Sequence, residues 1–214
     1  MLRSLVSACV VVAFVTSAFG VEPLFLNSRW QTYSPYWGSV EPRINEGIPE
    51  FRIAGGSCVV STTDMEPALQ FEWFPEVDAT DTLSVTVLST GAPREEESLP
   101  FVPKDGITFT IGEGKLIKRI AYPDGRVISE EKVDERFNIR ETEVNWHTIK
   151  VVREMSRERP VLALYLDDTV VTKIMYDIER LPGRRVAIGN KHSFFQNDQR
   201  IVPTSFIRKF ALVK

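Results

Sequence analysis

The chain has 214 residues, with 26 lysines and arginines against 29 aspartates and glutamates, a formal net charge of −3, and no basic block. A mildly acidic chain of this kind makes a poor partner for nucleic acid, whose binding rests on neutralising phosphates. Two cysteines and two histidines, none at metal-ligand spacing, argue against a structural zinc site, and no metal cofactor is expected.

Residues 1–20 have the form of a signal peptide. Arg3 supplies the positive start, residues 5–15 are almost wholly apolar, and Ala18-Phe19-Gly20 places small residues before a cut at Val21. The apolar run is shorter than the ~20 residues a spanning helix needs, so removal is expected rather than anchoring. The Val6-Ser7-Ala8-Cys9 tetrad resembles a lipobox, but the apolar core falls on the wrong side of that cysteine. No second long apolar segment follows, so no membrane span is expected after removal. Cys58 is then the one cysteine left, and no internal disulfide is expected. Followed by Val59 and Val60, Cys58 reads as a small buried strand residue rather than a nucleophile.

Residues 21–50 are aromatic-rich, with Phe25, Trp30, Tyr33, Tyr36 and Trp37, and their prolines predict an irregular entry segment. From 51 onward the signal is β. Residues 51–54 and 58–60 read as short strands around the Gly55-Gly56 turn. Residues 69–74 alternate, with Leu69, Phe71 and Trp73 on one face and Gln70, Glu72 and Phe74 on the other. Residues 83–88 alternate likewise. Residues 91–100 form a charged loop, and residues 107–111 a period-two strand. A hairpin then runs through Gly112-Glu113-Gly114 into 115–121, and another through Pro123-Asp124-Gly125 into 126–129. Residues 130–145 are charged and mixed, without helical periodicity. Two β-branched runs, 147–153 and 161–173, carry an Asp167-Asp168 pair that predicts a tight hairpin turn. Residues 184–190 and 205–213 supply the last strands. About eleven short strands without a convincing helix predict an all-β, two-sheet sandwich forming one domain over 51–214.

Trp146-His147, Tyr165-Leu166-Asp167, Val186-Ala187-Ile188-Gly189 and Phe206-Ile207-Arg208-Lys209-Phe210 together resemble the C-terminal half of the concanavalin A-like lectin/glucanase superfamily. Within it the chain looks most like laminin G-type domains and the 3-keto-disaccharide hydrolase-like domain. The resemblance covers residues 145–214 and implies a jelly-roll sandwich with carbohydrate as its ligand. The Glu-x-Asp-x-(x)-Glu acid strand of laminarinase-type members and the metal motifs of legume lectins are absent. The two-carboxylate glycosidase mechanism is therefore not written in any one strand.

Three classes of function follow: an exported, periplasmic or extracellular glycan-binding module; a glycoside-cleaving hydrolase of the 3-keto-disaccharide type; and a laminin G-like protein-binding or envelope-structural domain. The candidate ligand-binding residues are Gln70, Glu72, Tyr36, Trp37 and His192. Glu72 and Gln70 face away from the core side of their strand, where a carboxylate can hydrogen-bond hydroxyls or move a proton; the bland alternative is a solvated glutamate. Tyr36 and Trp37 suit stacking on a sugar ring or plugging the sandwich edge. His192 lies in a loop beside Phe194 and Phe195, as a ligand contact or a plain surface residue. His147 reads as a partly buried, satisfied histidine and Trp146 as core packing. Asp167 and Asp168 close their hairpin, and Ca²⁺ there would need oxygens from further loops.

Overall fold

The computed structural model describes residues 30–34, 38–64, 69–75, 82–91, 103–134, 137, 145–156, 159–190 and 194–212. Sixteen strands are present among them, where about eleven were expected. They run β1 (Trp30–Tyr33), β2 (Ser39–Asn45), β3 (Ile48–Ala54), β4 (Cys58–Ser61), β5 (Leu69–Pro75), β6 (Thr82–Ser89), β7 (Gly106–Gly112) and β8 (Lys115–Ala121). Then follow β9 (Val127–Val133), β10 (His147–Ser156), β11 (Arg159–Leu166), β12 (Thr169–Met175), β13 (Arg185–Asn190), β14 (Phe194–Gln196), β15 (Gln199–Ile201) and β16 (Thr204–Leu212). The helical content among the described residues is 3-10 only, at Phe137 and over Ile178–Arg180, the latter capped at its start by the Asp177 carboxylate.

Two seven-stranded antiparallel sheets make the sandwich. Sheet A has the order β1-β4-β13-β6-β7-β8-β9 and sheet B the order β12-β11-β10-β5-β16-β3-β2; β14 and β15 form a small separate hairpin. The chain crosses repeatedly between the sheets, so strands distant in sequence become neighbours. Strand β5 lies between β10 and β16, pairing residues near 70 with residues near 150 and 208. This topology, more than any local motif, builds the site described below.

The inner faces are apolar, as the alternation predicts. Phe71, Ile149, Val151, Leu162, Leu164 and Ile207 from sheet B meet Leu83, Val85, Ile107, Phe109, Val186 and Ile188 from sheet A, all essentially inaccessible to water. Each such side chain contributes roughly 1.5–3 kcal/mol on leaving water. At one end of this core Asn190 joins the layers. Its Oδ1 accepts from Gly56 N at 3.0 Å, and its Nδ2 donates to Ile53 O at 2.9 Å and Pro203 O at 2.8 Å.

Several expectations need correction. The entry segment is not irregular throughout, because Trp30–Tyr33 and Ser39–Asn45 are strands. Proline did not prevent this. Pro42 lies in β2, an edge strand whose one partner among the described residues is β3, where a missing N–H can face outward. The charged residues Glu130, Glu131 and Lys132, to which the sequence pattern assigns no element, belong to β9. The two glutamates are held there by Lys118–Glu130 and Lys115–Glu131 ion pairs across to β8, a charged edge that discourages further pairing. Strand β6 is buried along its whole length, so its alternation does not mark a solvated face. The Asp167-Asp168 turn is as expected: both residues have positive φ (49° and 62°), the left-handed pair of a tight hairpin.

Candidate functional site

Strand alternation turns Gln70, Glu72 and Phe74 of β5 to the outer face of sheet B, opposite the buried Leu69, Phe71 and Trp73. Glu72 is not a lone solvated glutamate. Arg208 Nε donates to its Oε2 at 2.6 Å and Lys209 Nζ to its Oε1 at 2.7 Å. Arg208 is only 12% exposed, and its guanidinium lies 3.7 Å from the ring centroid of Trp146. Trp146 in turn meets Phe74 at 5.3 Å, and Phe74 meets Phe206 at 6.2 Å. Trp146 is therefore a half-buried member of the outer face, which corrects the expectation of core packing.

Two transverse rows account for this cluster. Arg43, Glu50, Arg208 and Glu72 are aligned across β2, β3, β16 and β5 by backbone register, alternating in sign. The neighbouring row carries Arg52, Phe206, Phe74 and, beyond β5, Trp146. Cations from the first row lie on rings of the second: Arg43 over Phe206 at 4.1 Å and Arg208 over Trp146. A third row holds Gln70 between Ala211 and Lys150, with Lys150 in turn opposite Tyr165 of β11.

The electrostatics of this face are uniform. Every carboxylate its strands present outward is ion-paired: Glu41 with Arg52, Glu50 with Arg43, Glu72 with Arg208 and Lys209, and Glu154 with Lys173. Burial opposes ionisation of Glu72, but the hydrogen bonds and charges of Lys209 and Arg208 outweigh it and hold the carboxyl below its usual range. The hydrogen bonds from Lys173 and Tyr165 do the same for Glu154, and the Glu154 bond raises both Lys173 and Tyr165. Tyr165 donates its hydroxyl to Glu154 at 2.8 Å, which fixes its ring. Next to it a depression of about 450 Å³ opens, lined by Glu154, Met155, Ser156, Val161, Lys173 and Met175. A second, of about 460 Å³, lies around Met175 toward Tyr122 and Tyr176 at the end of the sandwich.

His147, Asp167 and Cys58 serve structure. His147 Nδ1 is 2.7 Å from Asp167 Oδ2, and Asp167 Oδ1 accepts from Thr148 N at 2.7 Å, so the hairpin turn clamps the start of β10. The histidine ring packs near Trp73 at 6.0 Å, the partly buried and satisfied state expected of it. Burial pushes the Cys58 thiol up to about 12, so it is inert at neutral pH. Among the described residues no three His, Cys, Asp or Glu side chains converge as a metal-ligand group, and no helix is long and apolar enough to cross a membrane.

Of the sequence candidates, Gln70 and Glu72 stand together on this face. Tyr36, Trp37 and His192 lie outside the described residues. Sequence reasoning missed Arg208, Lys209, Lys150, Tyr165 and Glu154. The shared parity of Trp146, Thr148 and Lys150 was a readable signal. The placement of β16 beside β5 was not.

No protein-family model matches the chain, and no curated protein matches it in sequence. Solved structures do match. The endo-β-1,4-glucuronan lyase of the fungus Trichoderma reesei aligns with a TM-score of 0.53 at 9% identity, over 92% of this chain and 94% of that one. The binding domain of botulinum neurotoxin DC in complex with SialylT aligns at 0.52 and 9% identity, over 85% of this chain and 41% of its own. A botulinum neurotoxin type C structure, titled for cell entry dependent on two ganglioside molecules, aligns at 0.53 and 11% identity, over 85% and 42%. The chain thus spans about two fifths of the toxin chains it matches. At these identities the likeness shows the fold, a two-sheet β-sandwich.

Proposed function

We propose that the chain is an exported, non-catalytic carbohydrate-binding domain whose ligand lies on the outer face of sheet B. The observation that carries this reading is the pairing of every outward carboxylate on that face with a cation. Two-carboxylate glycoside cleavage needs one acid kept protonated near neutral pH, and Glu72 and Glu154 are both held in the opposite state. What the face does offer is recognition chemistry. Trp146, Phe74 and Tyr165 supply ring surface, Gln70 supplies an exposed amide, and the ion pairs hold the polar groups in fixed positions for hydroxyls. The structural neighbours whose titles name a glucuronan lyase, SialylT and gangliosides support a sugar ligand, and the 1–20 segment supports export.

Calorimetric titration of the purified protein with a panel of oligosaccharides tests this. Binding that is lost in Trp146→Ala, with melting temperature little changed, is expected. Sugar binding that survives both Trp146→Ala and Gln70→Ala would place the ligand elsewhere.

A second reading has one observation in its favour. Met155 (65% exposed), Met175 (63%) and Ile178 (42%) surround the two depressions at one end of sheet B, an apolar rim of the kind a protein partner covers. Under that reading a Met155→Ser, Met175→Ser double variant loses a partner and keeps sugar binding.

A further inference from the structure

We propose that the glycan taken by this face carries carboxylate groups, and that Lys150 and Lys209, on either side of Gln70, read them. The proposal rests on the sugar-binding reading above and adds the charge of the ligand to it.

Once the carboxylates of this face are paired, cations are left over. Glu72 carries one negative charge and takes two cations, Arg208 and Lys209, so that cluster retains a net positive charge. Lys150 has no carboxylate partner among the described residues; its ammonium rests 5.8 Å from the centroid of the Tyr165 ring. A cation held against a ring on a sheet surface has given up part of its hydration, and a cation–π contact repays about 0.5–2 kcal/mol of that. An anion supplied from solution would repay more.

Position makes the two lysines a pair. Gln70 of β5 has Lys150 of β10 as its partner on one side and Ala211 of β16 on the other, with Lys209 in the irregular step between Arg208 and Ala211. The lysines therefore flank an exposed amide across two strand spacings, about 10 Å between backbones. Cations so spaced suit acidic groups on a sugar chain, while the Gln70 amide between them can donate to and accept from ring hydroxyls.

The backbone adds an independent observation. Lys209 has φ of 54°, a conformation unusual for a residue with a side chain, at a bulge where the register between β16 and β5 shifts. Bulges re-aim side chains and are found beside sites. Here the bulge adds a second cation to a carboxylate already bonded to Arg208. Stability alone does not require that. A net positive locus beside Gln70 is what it produces. The chain as a whole is acidic, at −3, so this locus is a local feature and not an overflow of basic composition.

The test uses matched pairs of oligosaccharides that differ only in the carboxylate: β-1,4-glucuronan with β-1,4-glucan, and polygalacturonate with its fully methyl-esterified form. Binding is measured calorimetrically at low and high salt. The acidic member is expected to bind about tenfold tighter or more, and to weaken as salt rises. Lys150→Gln and Lys209→Gln should each remove about tenfold of that preference, Lys150→Arg should restore most of it, and melting temperatures should stay within a few degrees. Equal binding of acidic and neutral members would overturn the charge proposal while leaving the sugar-binding face standing. Acidic preference unchanged in both glutamine variants would overturn the assignment of these lysines. Binding of neither member of any pair would overturn both this proposal and the reading beneath it.

Discussion

The two sheets share one inner face and present opposite outer ones. Over β4, β13, β6 and β7, sheet A turns outward small residues, Cys58, Val60, Ser84, Thr86, Thr108 and Ala187, and all of them are buried. Their polar groups close on each other in hydroxyl pairs, Ser84 with Thr110 and Thr86 with Thr108, both at 2.8 Å. Sheet B turns outward long charged and aromatic residues, from the buried Glu50 and Phe206 to the half-exposed Lys209 and Lys173, which are held by ion pairs and ring contacts. The first face is sealed packing, sensitive to volume. The second is an ordered polar surface, fixed by charge pairing and ring contacts.

Substitutions can break or sharpen that contrast. The inner face sets the upper limit. Phe210, which stacks on Phe71 at 5.4 Å and tilts against Trp30 at 5.3 Å, should cost about 4 kcal/mol as Phe210→Ala, read by denaturant unfolding. On the outer face of sheet A, Gly189→Ala would bring a new Cβ to 2.8 Å from the Cys58 Cβ and 3.1 Å from Ser57 O. Cys58 is held by strand pairing and Ser57 O accepts from Asn190 N, so a loss of about 2 kcal/mol is expected; a loss near zero would show that this face is not tightly sealed.

On sheet B the effects should be smaller and depend on pH. Because the Glu72 carboxyl is held below its usual value of 4.5, its pairing contributes fully above that pH and is lost as pH falls through the lower, folded-state value. Glu72→Gln should therefore cost about 1 kcal/mol at pH 7 and close on the wild type in acid. A difference that persists undiminished at pH 3 would mean that Glu72 acts through packing rather than charge. Lys150→Gln should leave the melting temperature nearly unchanged, since no ion pair is broken; a loss comparable to Gly189→Ala would erase the contrast between the faces.

The sequence made the fold legible because β structure is written locally. Alternation at residues 69–74 correctly divided Leu69, Phe71 and Trp73 from Gln70, Glu72 and Phe74, and Asp167-Asp168 marked its turn. The edge strand β2 and the second half of β9 were hidden by proline and by charge, both tolerable where one side of a strand is unpaired. The site was legible only at β5. Glu72 could be seen to face outward, but its partners arrive from β16 and β10, more than seventy residues away, through a strand order that no local pattern encodes. Trp146 was misread for a related reason. A tryptophan beside a β-branched run suggests core, whereas the register places it one row beyond Trp73, on the outer side.

The central claim is that the outer face of sheet B holds a sugar without cutting it. The most direct measurement incubates the purified protein with the acidic and neutral oligosaccharides, then records in one sample both retention on the protein and the masses of the sugars by mass spectrometry. The account predicts retention of oligosaccharides of unchanged mass. Release of shorter products, abolished in Glu72→Gln, would contradict it and make this face an active site.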